Sequence, residues 1–242
     1  MRHTFTHRIL AAALVLPLAA ASTIDLGARQ DDERALHVLN RIGFGPRPGD
    51  AARVQAMGIE KYIEAQLEPS KIDDRAVEAM LTKFDTLGLS TSEMVSRFYS
   101  PPQQKARQAQ AARGTQGTES MTPPGQPETA SMSPEDARQR REGNTPLLEL
   151  SQQKILRAVY SERQLEEVLV DFWFNHFNVF SGKGQFARFY LTEYEREAIR
   201  PHVLGSFREM LGATAKSPAM LWYLDNWMSA APQEEKPANA RG

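Results

Sequence analysis

Residues 161–180, SERQLEEVLVDFWFNHFNVF, decide the fold class. Ser161 followed by Gln164 is a capping-box pattern, and it opens a helix expected to run to about Phe180. Along that helix Leu165, Leu169, Phe172, Trp173, His176 and Phe180 recur at helical spacing and share one face, while Asp171, Asn175 and Asn178 gather on the other. The apolar stripe is expected to face the core and to carry His176 in with it.

The same period continues outward in both directions. Toward the N-terminus it predicts helices over Asp31–Ile42, stopped by Gly43, over Ala51–Met57 with Asp50 as cap and Gly58 as stop, and over Glu60–Leu67, ending near Pro69. Asp73–Phe84 repeats it through Val77, Met80, Leu81 and Phe84, and Ser90 with Glu93 is a capping box for Met94–Tyr99. Nearer the C-terminus, Pro146–Tyr160 is helical, Thr192 with Glu195 is a further capping box, and Pro201 separates that helix from Pro201–Ala215. Ser217-Pro218 starts a last helix expected to reach about Met228. Val179–Phe189, with a turn at Ser181–Gly184, is the sole strand candidate.

Between Pro101 and Pro146 there is no Ile, Leu, Val, Phe, Tyr or Trp. Such a stretch cannot bury enough apolar surface to offset its ordering entropy. The expected fold class is therefore all-α: an irregular multi-helix bundle interrupted by a long disordered insertion at 101–146. Residues 22–100 and 147–242 are read as two helical segments of one incomplete domain.

Residues 1–21 read as a signal peptide. Arg2 and Arg8 precede an apolar run from Ile9 to Ala21, and Ala19-Ala20-Ala21 satisfies the small-residue rule for cleavage. As a helix the run reaches about 20 Å, short of the roughly 30 Å hydrocarbon core. No later segment is long and apolar enough to suggest a transmembrane span in the mature chain, so the expected location is the periplasm or the bacterial exterior.

Lys and Arg number 29 against 30 Asp and Glu, leaving no basic excess for a nucleic-acid backbone. The absence of cysteine excludes disulfides, thiolate catalysis and Cys-ligated metal. The mature chain's histidines, His37, His176 and His202, are not at ligand spacing, so neither metal nor cofactor is expected. Glu193 and Glu197 sit one turn apart and have the spacing to share a cation, but they read more simply as a solvent-facing side with Arg196 and Arg200 as ionic neighbours. His176 is open to two readings, a neutral core histidine or a catalytic base. Asp225 and Asn226 near a helix C-terminus oppose the helix dipole, marking either a site or a frayed end. Trp222 and Trp227, five residues apart, do not share a helical face, which argues against a sugar-binding platform.

Four stretches carry a family resemblance. They are Leu36-His37-Val38-Leu39-Asn40-Arg41-Ile42-Gly43-Phe44-Gly45, Phe172-Trp173-Phe174-Asn175-His176-Phe177, the run from Tyr194-Glu195-Arg196 to Phe207, and Ser217-Pro218-Ala219-Met220-Leu221-Trp222-Tyr223-Leu224-Asp225-Asn226. In this order they resemble the N-terminal part of the bacterial domain-of-unknown-function family 1800. The resemblance implies export and a largely helical fold without an established activity, and an exported sulfatase-like protein as a partner. Members continue past an Arg-Gly step, so the end at Arg241-Gly242 is expected to be a truncation.

Two functional expectations follow. In the first, the protein is a binding or scaffold protein of the bacterial envelope, and its matched polar residues are struts between helices. In the alternative it is a fragment of an envelope enzyme of hydrolase type. There His176, Asn175, Arg41, Arg200, Asp225 and Asn226 meet a segment missing from this chain in one catalytic cleft.

Expression in a Gram-negative host should yield a product whose N-terminal residue is Ser22. N-terminal sequencing that returns Met1 on a membrane-extracted protein would refute the signal reading.

Overall fold

The fold was obtained as a computed structural model, which describes residues 29–99 and 134–230. The expected signal segment 1–21 and residues 101–133 of the expected insertion lie outside them. Every regular element among the described residues is helical, as expected of an all-α chain. In chain order these are α1 (29–42), α2 (Asp50–Met57), α3 (Ile59–Leu67), α4 (Arg75–Leu81), α5 (Thr91–Phe98), α6 (Pro134–Gly143), α7 (Thr145–Tyr160), α8 (Gln164–His176), α9 (Ala187–Glu193), α10 (Phe207–Lys216) and α11 (Pro218–Tyr223). The strand candidate at Val179–Phe189 is instead a run of turns leading into α9.

The chain divides into two compact units, each drawing residues from both sides of the low-complexity stretch. The first comprises Met1–Val77 with Arg157–Leu169; the second comprises Glu78–Leu156 with Val170–Gly242.

In the first unit Ala35 and Leu39, one turn apart on α1, pack with Val54 of α2 and Tyr62 of α3. Gly58, at φ 93°, turns α2 into α3 in a single residue, a conformation that a side chain disfavours. The rest of the unit is held by polar side chains that satisfy non-helical backbone around Ser161. The Asp74 carboxylate accepts from Ser161 Oγ and from the Glu162 N–H, both at 2.8 Å. The Gln66 amide donates to the Glu162 carbonyl and accepts from the Leu165 N–H. Gln164 donates to the Ala158 and Ser161 carbonyls and accepts from the Phe44 N–H. Gln164 therefore does not close the expected box with Ser161; its amide is used on backbone at longer range. Buried polar groups so paired fix one arrangement, because each lost partner leaves a desolvated group behind.

In the second unit the helix begun by α9 is the centre. Ala187, Phe189, Leu191, Thr192, Tyr194, Glu195, Ala198 and Ile199 are all buried. A helix covered on nearly every side belongs in the interior. The Tyr194 hydroxyl donates to the Phe177 carbonyl at 2.8 Å, and burial pushes its phenol pKa up. Thr192 and Glu195 therefore open no helix, contrary to the capping-box reading: both lie inside a continuous one, and their pattern is read there as side-chain chemistry. At Ser90 and Glu93 the same pattern does form a reciprocal capping box, at the start of α5.

The low-complexity stretch carries helix at its end, in α6 and the start of α7, where disorder was expected. Glu, Ala, Gln and Arg are strong helix formers, and Arg138 pairs with Glu142 one turn on. Helix α8 stops at His176 rather than Phe180; the Phe180 ring lies over Gly182, where an added Cβ would approach it to 2.7 Å. Its buried residues Gln164, Glu167 and Val170 are not the apolar stripe, and Phe172, His176 and Phe180 face outward. Polar pairing of Gln164, and of Glu167 with Arg157 at 3.4 Å, sets which side of α8 turns inward.

Replacing Asp74 by Ala should destabilise the fold by about 2–3 kcal/mol, since two desolvated donors lose their acceptor. The neighbouring Asp73, exposed and paired with the side chain and backbone N–H of Arg75, should lose clearly less on the same change. Denaturant unfolding of the two variants side by side checks the contrast.

Candidate functional site

Pro201 shapes the centre of the second unit. It has no N–H, and its ring excludes the carbonyl four residues back, so the helix cannot continue at ordinary pitch. From Tyr194 to Ile199 the helix widens into a π turn, in which the Arg200 N–H reaches the Glu195 carbonyl five residues back, followed by a tight 3-10 turn at Arg200–His202. Segments of this kind recur at functional sites.

The widened turn sends its glutamates to different places. Glu195 points inward and is 1% exposed. Its Oε1 accepts from Gln153 Nε2 at 2.8 Å and from Arg200 Nη2 at 3.0 Å. Its Oε2 has no hydrogen-bond partner but lies 3.8 Å from Lys154 Nζ. Lys154 in turn stands 3.0 Å from Asp171 Oδ1 and 4.1 Å from the centre of the Phe174 ring. The buried Glu195 thus belongs to a balanced group of two anions and two cations that reaches out to half-exposed Asp171, drawn from α7, α8, the π turn and the 3-10 turn after it.

Glu193 and Glu197 lie along a cavity of about 160 Å³ that Tyr190, Lys216 and Ser217 also line. Glu193 Oε2 accepts the Thr91 N–H at 2.6 Å, and Glu197 pairs with the Arg196 guanidinium at 2.7 Å. Arg200, expected beside Glu197, goes to Glu195 instead. No group of three or more ligating side chains is arranged to hold a metal ion among the described residues.

The six residues singled out in the sequence are placed as follows. Arg41 is exposed at the end of α1, in the first unit; the other five belong to the second. Arg200 is committed to buried Glu195. Asn175 donates from Nδ2 to the Asp171 carbonyl of its own helix at 2.7 Å. His176, expected in the core, is exposed, and its ring contacts Phe172, Trp173 and Phe177, with centroids at 5.9, 5.4 and 4.9 Å. Asp225 Oδ2 pairs with Lys183 Nζ at 2.8 Å, and Asn226 Oδ1 accepts from Ser229 Oγ. The chain of contacts from Arg200 through Glu195 and Lys154 to Asp171 links Arg200 to the helix turn that holds Asn175.

Around His176 lies an aromatic cluster that its sequence stripe foreshadowed but placed on the wrong side. Trp173 stacks near-parallel on Phe177 at 5.7 Å and meets Phe207, at the start of α10, at 5.6 Å. Phe172 and Phe207 are each 53% exposed, so the cluster opens to solvent. Sequence reasoning missed Lys154 and Gln153, whose partners lie too far along the chain for local spacing to expose.

The family model described as "Protein of unknown function (DUF1800)" matches residues 37–239. No curated protein and no solved structure matches the chain.

Substituting Glu195 by Leu should cost about 3–5 kcal/mol, because Arg200 and Gln153 would lose their buried acceptor and Lys154 one of its two carboxylates. Glu197→Leu, at an exposed position, should change stability within about 0.5 kcal/mol. Thermal unfolding that ranks the two alike would contradict this placement of the glutamates.

Proposed function

The chain belongs to the DUF1800 family of proteins of unknown function, and from that premise we propose that it is an exported binding or scaffold protein of the bacterial envelope. The observation that carries the reading is a division of labour among its residues. Three of the polar side chains that suggested chemistry are occupied within the fold: Arg200 by Glu195, Asp225 by Lys183, Asn175 by its own helix. The aromatic residues that suggested a core are the ones left at the surface, with Phe172, His176 and Phe207 exposed together.

An exposed aromatic group around a polar, hydrogen-bonding tip is the composition of an interaction surface. A general base, by contrast, needs a partner that orients it, and the imidazole of His176 is held by ring faces. Export is supported by the charge and apolar pattern of residues 1–21. Among the described residues no helix is long and apolar enough to cross a membrane.

A photo-activatable residue in place of Phe172 should give a discrete protein adduct in the envelope fraction, and the same residue in place of exposed Glu64 should not. The adduct should persist in a His176→Gln background, since the surface rather than the imidazole's proton chemistry makes the contact. Absence of any adduct at position 172, or a hydrolytic turnover abolished by His176→Gln with the fold intact, would overturn the reading.

A further inference from the structure

We propose that Trp227, carried on Trp222, is a binding platform for a neutral saccharide ring. This site is separate from the surface around His176 and stands on its own geometry, whatever the location of the protein.

In one continuous helix the two indoles would point apart. Helix α11 ends at Tyr223, and Asp225 takes a left-handed conformation at φ 59°, one of the few side chains that tolerates it. A 3-10 turn over Asn226–Met228 follows, and the reversal lays Trp227 on Trp222 with centroids 5.2 Å apart and planes 16° from parallel. The separation along the chain that argued against a platform is thereby removed.

Trp222 is the fixed member of the pair. Its Nε1 donates to the Lys183 carbonyl at 3.2 Å, and its ring packs edge-on to Phe186 and tilted against Tyr190. Gly184, at φ 66°, brings backbone close to the same ring; a Cβ there would lie 3.5 Å from it. Trp227 has one face on this base and is 55% exposed. An indole held flat by a fixed neighbour offers its outer face with little conformational entropy left to lose on binding.

The rim selects the ligand class. Lys183 Nζ is neutralised by Asp225 at 2.8 Å and also donates to the Tyr223 carbonyl, so this pair offers no net charge to favour an anion or a cation. The two residues that precede Trp227 in the turn supply both kinds of hydrogen-bonding group: the second carboxylate oxygen of Asp225, and the amide nitrogen of Asn226, whose Oδ1 accepts from Ser229 Oγ. A neutral ring with polarised C–H bonds on its face and hydroxyls at its edge matches this arrangement. The C–H groups meet the electron-rich indole face, and the hydroxyls donate to Asp225 and accept from Asn226.

The test is calorimetric titration of the full chain with cellotriose and with N,N′,N″-triacetylchitotriose, alongside indole emission. Saturable binding with Kd of about 1 mM is expected for at least one of them, a strength suited to a single-ring contact. Trp227→Ala should weaken it about tenfold and Trp227→Phe, which keeps a smaller ring face, by less. The far-ultraviolet dichroism and Tm of both variants should match those of the unaltered chain, because the Trp227 ring is largely exposed. No saturable signal from either saccharide, or unchanged affinity in Trp227→Ala, would overturn the proposal. So would tighter binding of tetramethylammonium than of either sugar, which would assign the indole face to cations. None of these results bears on the adduct at position 172, so the envelope reading and the saccharide platform fail or stand separately.

Discussion

The carboxylate of Glu195 sits in the interior, where an ionised oxygen is costly unless opposing charge and hydrogen bonds surround it. Arg200 and Gln153 bond to one of its oxygens, and Lys154 faces the other while also reaching Asp171. These partners come from α7 and from the turn after the π segment, and Lys154 extends the contact to α8 through Asp171. The widened helix turn is the geometric condition: with Pro201 ending the regular pitch, Glu195 turns inward while Glu193 and Glu197 line a cavity.

The first unit solves a related problem with neutral and charged acceptors. Asp74, Gln66 and Gln164 serve the backbone around Ser161, which no helix satisfies. In both units buried polar chemistry chooses the orientation of the long helices, and apolar side chains fill what is left. That order of importance explains why α8 turns Gln164 and Glu167 inward and leaves Phe172 and His176 facing out.

The elements were legible in the sequence where their cause is local. Helix α1 ends at the glycine that follows Ile42, and the Ser90–Glu93 box forms as written, because its partners are three residues apart. Thr192 and Glu195 show the limit of that logic: the same spacing occurs inside a helix, and only long-range partners such as Gln153 reveal it. The face of α8 was misread for the same reason, since periodicity identifies a stripe without saying which side meets a neighbour. The pairing of Trp222 with Trp227 depends on one left-handed residue, Asp225, and a five-residue interval read as continuous helix conceals it. Of the candidate site, Arg200, Asn175 and Asp225 stood out in the sequence as polar residues within aromatic-rich stretches. Their commitments to Glu195, to the α8 backbone and to Lys183 became visible only in three dimensions.

A double-mutant cycle between Glu195 and Arg200 tests the central claim, that a compensated interior charge organises the second unit. Stability is measured for Glu195→Gln, Arg200→Met and the pair. The account predicts a coupling energy of about 1–3 kcal/mol, with the double variant far less damaged than the sum of the singles. Additive losses, with coupling below about 0.5 kcal/mol, would contradict it.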